Sequence, residues 1–472
     1  MSYQRWFRPT NEFTLGRRTF VLCPVFCVLS LAFLCFTTSP SLATSDGWAA
    51  TYGGIFFDEA HSVQQTGDGG YLVAGWTRSS GAGDADFLVL KLRSDGTVEW
   101  QKTYGGDSWD EARSIRQTSE GGYIVAGWTM SFGAGLGDLW VLKLGADGAI
   151  EWQNTYGGGG EDLALSIQQT GDKGYIVTGV TSSFGAGSSD VWVLKLRPDG
   201  KMEWQKTYGG DGVDRAFSIQ QTGDGGYIVA GDTISFALQG QETPDVWILK
   251  LKSDGAVEWQ KIYGGDNYDQ ASSVRQTSDG GYVAAGRTDS FGAGGGDVWV
   301  LKLGSDGAVA WQRTYGGVGL DEASSIQQTG NGGYIMAGNT ASSGAWGVDA
   351  LVLELSPDGA VEWQKTYGGV DDDWAFFIQQ TSDGGYIITG GTRSFGAGED
   401  DLWVLKLRPD GSIDDACDFI RATGISEKNS NTPVRTTNAD VSNSGVNPQD
   451  SSAAVQDINA SVNFLCASTA VE

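Results

Sequence analysis

The 472-residue chain carries 72 glycines and 18 tryptophans but only 9 prolines, a composition of short strands and turns, long enough for one large repeat domain or two to three ordinary ones. Its 58 Asp and Glu outweigh 31 Lys and Arg, and the resulting net charge of −27 repels nucleic acid and anionic membrane surfaces and favours cations. A single histidine, His61, removes most histidine-based catalytic and metal-binding schemes.

Residues 1–43 read as an export signal. Arg5, Arg8, Arg17 and Arg18 give a basic start, Val21 to Phe36 is an apolar run, and Ser41 to Ala43 offers small residues for cleavage after Ala43. An uncleaved anchor is the alternative, since the run is long for a signal core and short for a span. Arg17 to Phe20 (RRTF) loosely matches a twin-arginine signal, but the very apolar run favours the general pathway. The expected location is periplasm, cell surface or medium, with no membrane contact beyond the signal. Removing the segment takes away four Arg, Glu12, Cys23, Cys27 and Cys35, leaving 27 basic against 57 acidic residues. Of the cysteines, Cys417 and Cys466 remain, a pair that an oxidising compartment would join.

Residues 44–412 are a repeat. The phrase WQKTYGG stands at Trp100, Trp204 and Trp363, with near copies at Trp48, Trp152, Trp259 and Trp311, spaced 52 residues apart except for one interval of 55. In the unit from Asp110 to Tyr156, EARSIRQT, YIVAGWT, DLWVLKL and AIEWQNTY read as four strands. SEGG, SFGAGLG and GADG are the connections between them. Four such runs make an antiparallel sheet apolar on both faces, and seven units predict an all-β, seven-bladed propeller. The repeat region begins with a lone fourth strand, Trp48 to Tyr52, and ends with a third, Asp401 to Leu407. The N-terminal strand is therefore expected to complete the last blade, with WQKTYGG as the outer strand of every blade.

Comparing the seven copies separates frame from decoration. Three Asp columns, beginning at Asp58, Asp86 and Asp95, never vary. The third precedes Gly and marks a tight turn, while the first two stand where strands begin and can accept backbone N–H groups. Carboxylates and carbonyls would also suit Ca²⁺, but seven identical sites would each need several oxygens. The columns are read as structural, with no cofactor expected. The Trp column is read as packing between blades, and the strand Lys, replaced by Glu354 in the sixth blade, as facing a Trp or carboxylate.

Variation concentrates in the loops that follow YGG and in those between second and third strands, which emerge on one face. There Phe57, Trp76, Trp109, Trp128, Tyr268 and Trp374 are expected as exposed or half-exposed aromatics, ringed by Asp107, Asp371 and Asp372. Such a patch suits a sugar or a cationic peptide, so a carbohydrate or protein partner is expected on this face of a monomer.

The repeat resembles the seven-bladed beta-propeller repeat of exported bacterial and archaeal proteins, which reads roughly T-Y-x-G-G, Asp, G-x-Y-x-x-G-x-T and D-x-x-x-x-K-L. One copy here supplies Thr207-Tyr208-Gly209-Gly210, Asp214, Gly226-Tyr227, Gly231, Thr233, Asp245 and Lys250-Leu251. The resemblance covers residues 47 to about 412 and implies export and a scaffold without an assigned reaction. LKLxxDGxxxW is similar, more loosely, to the Trp-docking turn of quinoprotein propellers.

The expected function is a non-catalytic binding module, with an envelope spacer as the alternative. An enzyme is the weaker case. The carboxylates of Asp371 to Trp374 and Glu399 to Asp401 form the best glycosidase cluster, but Asp373 and Asp401 belong to the constant columns. A quinoprotein would want paired cysteines, and the propeller has none. The Ser/Thr/Asn-rich tail, 413–472, is compatible with a linker, an added strand or disorder, and a loop tied at its base by Cys417 and Cys466 is the favoured form.

Overall fold

In Asp138–Leu144 (DLWVLKL) all seven residues are buried, because both faces of the strand are covered by neighbouring sheets. The same pattern recurs in the third strand of every blade. The computed structural model describes residues 47–237, 242–344 and 347–413 and seven short tail strands; the leader, residues 1–43, and Cys417 lie outside the described residues.

Each blade pairs its strands in sequence order, antiparallel. Blade 1, for example, consists of Asp58–Gln65, Tyr71–Thr77, Asp86–Leu92 and Val98–Gly105. Blade 7 consists of Asp373–Gln380, Tyr386–Thr392 and Asp401–Leu407, and takes Trp48–Gly53 as its fourth strand, in register from Trp48 opposite Lys406 to Tyr52 opposite Leu402. The expected closure by the N-terminal strand is thus present.

First strands line the axis. Each has a register shift after its third residue, as between Ala60 and Ser62, so that consecutive residues such as His61 and Ser62 both line the axial channel.

The repeated phrase is a latch between blades. The Tyr104 hydroxyl donates to the Gly148 carbonyl of the next blade's Asp-Gly turn at 2.6 Å, and all seven blades repeat this bond. The Trp48 indole N–H donates to Ser94 O in the same kind of turn, and Trp152, Trp259 and Trp311 do likewise. Gly96 has a φ of +82°, and a Cβ there would meet the Trp48 ring at 3.0 Å, so both conformation and closeness require glycine. Each Trp also meets the Tyr that starts the next blade's second strand, as Trp48 meets Tyr71 with centroids 5.9 Å apart. The strand Lys pairs with carboxylates, Lys91 reaching Asp68 at 2.9 Å. In blade 6 the lysine becomes Glu354 and the matching turn residue becomes Asn331.

Outside the latch strands lies a structure the repeat did not announce. After blade 7, the chain runs round the ring in reverse, laying an antiparallel fifth strand on every blade. Ile420–Ala422 pairs with blade 6, Ser426–Asn429 with blade 5, Val434–Thr436 with blade 4 and Asp440–Ser442 with blade 3. Gln449–Asp450, Ala454–Asp457 and Ser461–Cys466 then pair with blades 2, 1 and 7. Two expectations change. WQKTYGG is the fourth strand and not the outermost, and the tail, where described, is a belt of strands and not a loop; the expected tie through Cys417 lies outside the described residues. An open strand edge needs only backbone partners, and a Ser/Thr/Asn-rich segment supplies them without an apolar pattern.

Deleting Trp48–Gly53 is expected to unfold the ring, since all six residues are buried in blade 7. Deleting residues after 425 removes only short edge strands and is expected to lower the melting temperature while leaving a folded propeller. Equal losses by calorimetry would contradict this. Replacing Tyr208 by Phe leaves a buried carbonyl unpaired and is expected to destabilise by about 1–2 kcal/mol in chemical denaturation.

Candidate binding face and axial channel

The loop face is held in shape by the first two Asp columns. Asp110 Oδ2 accepts the Gly106 N–H at 2.8 Å and the Ser131 hydroxyl at 2.7 Å, while Oδ1 accepts the Thr129 hydroxyl. Asp86, from the blade before, accepts the Ala82 N–H at 2.8 Å. Gly105 sits between the two carboxylates, and a Cβ there would fall on both, which explains the first glycine of the phrase. Asp138, Asp214 and Asp373 repeat these loop-capping roles. The third column behaves as a turn, with Asp95 accepting the Thr97 N–H at 2.9 Å. Among the described residues no group of three or more His, Cys, Asp or Glu is gathered as a metal-ligand set.

Four of the expected aromatics meet at the junction of blades 1 and 2. Trp76 and Trp109 lie 5.0 Å apart, and the Arg78 guanidinium stands 5.8 Å from both the Phe57 and Trp109 rings. The indole N–H groups of Trp109 and Trp128 both donate to Glu111 Oε2 at 3.3 Å. Phe57, Trp109, Trp128, Tyr268 and Trp374 are half-buried, but Trp76 is only 8% exposed, against expectation. The Trp109 ring covers it; at the next junction the residue corresponding to Trp109 is Glu161, and Trp128 stays half-open. Trp374 approaches from blade 7, where a Cβ at Gly391 would touch both its ring and Glu59 of blade 1. Tyr268 stands apart, under Arg287 at 5.3 Å. Asp107 and Asp371 are exposed and Asp372 is half-buried.

Four of the six candidate glycosidase carboxylates, Asp372, Asp373, Asp400 and Asp401, are committed elsewhere, while Asp371 and Glu399 are exposed. Arg393 stacks over Trp374 at 4.9 Å and pairs with Asp400 at 2.5 Å and Asp372 at 3.3 Å. Asp373 and Asp401 cap loops.

At the channel mouth, Glu111 also binds Arg113 at 2.5 Å and His61 Nε2 at 3.2 Å. Burial works to raise the Glu111 carboxyl, but the His61 bond and the Arg113 charge prevail and hold it down to about 2. His61 lies beside this ion pair and packs on Phe376 at 5.0 Å. On the opposite wall Arg215 clasps Asp232 with bonds of 3.0 and 2.7 Å, and Gln270 joins them.

The sequence reading passed over another group. Every large apolar side chain left exposed among the described residues, Ile55, Phe56, Met130, Leu136, Val318, Leu320 and Val370, stands on the loop face. For Ile55, Phe56, Val318, Leu320 and Val370 the signal lay in the triplets after YGG, IFF, VGL and VDD, while Met130 and Leu136 stand in the loop between the second and third strands of blade 2.

Residues 66–99 match a family model described as "Domain of unknown function (DUF5122) beta-propeller". The chain is a beta-propeller repeat protein. Among solved structures, it is similar to Sqt1 of Chaetomium thermophilum bound to the N-terminus of the ribosomal protein L10, with 10% identity and a TM-score of 0.46 over 76% of this chain and 99% of that one. A second Sqt1 structure gives 10% identity and 0.44, over 77% and 99%. No match was found among curated proteins.

Burial raises Asp86, Asp138, Asp269 and Asp401 to about 6, with a neighbouring Asp adding to the effect at Asp86, Asp138 and Asp401. A folded value above the unfolded 3.8 means that the proton favours the fold, fully below about pH 4 and not at all well above pH 6. Glu111 has the opposite sign and loses its contribution as pH falls from about 4.5 towards 2. The melting temperature is expected to be several degrees higher at about pH 5 than at about pH 7.5, and to fall below about pH 4. A flat profile between pH 5 and 7.5 would show that the paired carboxylates are not buried as described.

Proposed function

We propose that this propeller is an exported, non-catalytic binding module whose loop face takes a protein or peptide partner bearing apolar and basic side chains. The observation that carries the reading is the one-sided placement of exposed apolar residues, with Ile55 68% and Val318 88% exposed on a face where Asp107 and Asp371 are also exposed. A folded monomer has no internal use for these side chains, and an acidic chain of net charge −27 favours a basic partner. The ion pair between Glu111 and Arg113 supports a non-catalytic reading, because that carboxylate is already engaged by a cation. Export rests on the leader of residues 1–43 and is tested by the mass of the secreted N-terminus, expected to begin at Thr44.

A carbohydrate is the second reading, favoured by the half-open rings of Trp109 and Trp128 beside Asp107. A combined peptide and glycan array separates the two. Replacing Ile55 and Phe56 by Ser touches exposed loop positions and is expected to leave folding intact while weakening peptide hits at least tenfold. Replacing Trp109 and Trp128 by Ala should instead abolish hits if the ligand is a glycan. Intact folding with no hits of either kind would leave the envelope-spacer reading in front.

A further inference from the structure

The axial channel has a second register of variation, nearer the turn face. At the seventh position of the first strand, five blades present Gln64, Gln168, Gln220, Gln327 and Gln379, while blades 2 and 5 present Arg116 and Arg275. The glutamine joins blades. The side-chain oxygen of Gln64 accepts the Gln117 N–H of the next blade at 2.7 Å, and Gln168, Gln220 and Gln379 do the same. A guanidinium has no acceptor atom and cannot make this clasp. At two junctions of the ring, a bond used elsewhere is given up to place a cation in the channel.

Each cation is held by neutral acceptors. Arg116 Nη1 donates to Ser62 Oγ at 3.0 Å and Ile115 O at 2.6 Å, with its guanidinium 5.0 Å over the Phe377 ring. Arg275 Nη1 donates to Ser218 Oγ at 3.2 Å and Val274 O at 2.8 Å. Among the described residues neither is bonded to a carboxylate, in a chain with 58 acidic residues. Burial lowers Arg116 to about 9, with the Arg275 charge adding to the effect, and burial lowers Arg275 to about 10.

Both line a cavity of about 560 Å³ that holds no acidic residue, the size of a small-molecule site. Gln64, Gln168, Gln220 and Gln379 have their oxygens committed to backbone N–H groups, so their NH₂ groups are the polar atoms left to face the cavity. Cations and amide donors without a carboxylate make an oxyanion receptor. The adjoining cavity of about 240 Å³ towards the loop face shares Arg116 and Arg275, and there Glu322 is bound by Asn339 at 3.0 Å.

We propose that the turn-side cavity binds a small solute carrying two negative charges on oxygen, a dicarboxylate or a phosphate, between Arg116 and Arg275. The site is separate from the loop face and does not depend on a partner there. The test is titration calorimetry and thermal melting of the full chain with succinate, inorganic phosphate, acetate and chloride at constant ionic strength. Wild type, Arg116→Gln, Arg275→Gln and the double variant are compared. Succinate or phosphate is expected to bind wild type with one site and to raise its melting temperature by roughly 2–5 °C at a hundredfold excess over Kd. Which of the two binds identifies the source. Each single variant should lose at least tenfold in affinity and the double variant all detectable binding. In anion-free buffer the Gln variants should melt at or above wild type, because the substitution restores the clasp and removes the charge repulsion. Equal stabilisation of wild type and double variant, no binding of either dianion to wild type, or variants that melt below wild type without anion would each overturn the proposal. The Ile55 and Phe56 variants should retain anion binding, which separates this site's failure from that of the loop face.

Discussion

A blade of this propeller cannot stand alone, because its apolar faces need neighbours on both sides, and the contact that supplies them is the Trp and Tyr of each fourth strand resting on the next blade's Asp-Gly turn. The Tyr hydroxyl satisfies a turn carbonyl that is otherwise buried, and the indole ring fills the space over a glycine in a positive-φ conformation. Both partners of the contact come from one short repeat, so a single geometry is copied seven times and sums to a closed circle. This constraint leaves little freedom in WQKTYGG and DG, and it pushes individuality to two places that the latch does not reach: the loop tips and the residues facing the axis.

Those two places differ in chemistry. The loop tips carry exposed apolar side chains and half-buried rings, held by carboxylates that are themselves buried. The channel carries ions. Near the loop face these are paired, as in Glu111 with Arg113 and Arg215 with Asp232, and further down they are not, as in Arg116 and Arg275. Constant frame and variable contents are thus separated by register along each first strand.

Much of this was legible in the sequence, for physical reasons. A 52-residue period with four β-rich runs per copy fixed the blade, and an unpaired third strand at one end with a lone fourth at the other fixed the closure. The Asp columns read correctly as loop caps and turns, since short carboxylates beside backbone N–H groups act locally. The belt was not legible as a structure, although an added strand was among the options. It is held by main-chain bonds to an open edge, and those leave no periodic pattern in side chains. Trp76 was misplaced because its burial depends on Trp109, which reaches it from the adjacent blade. The arginines were visible as exceptions in a glutamine column, but their meaning required knowing that the column faces the axis and that its glutamines join blades.

The closure has a consequence in time. Trp48–Gly53 is made about 350 residues before Asp401–Leu407, its partner, and the belt strand that covers its other edge comes later still. At common synthesis rates the strand waits roughly 20–70 s with both edges open. Blades 1 to 6 pair strands that follow one another closely in the chain and can form as they emerge, whereas the seventh must wait for the longest loop in the molecule to close. This early strand is among the last to be buried, and the interval in which it is unprotected is set by the length of the ring it completes.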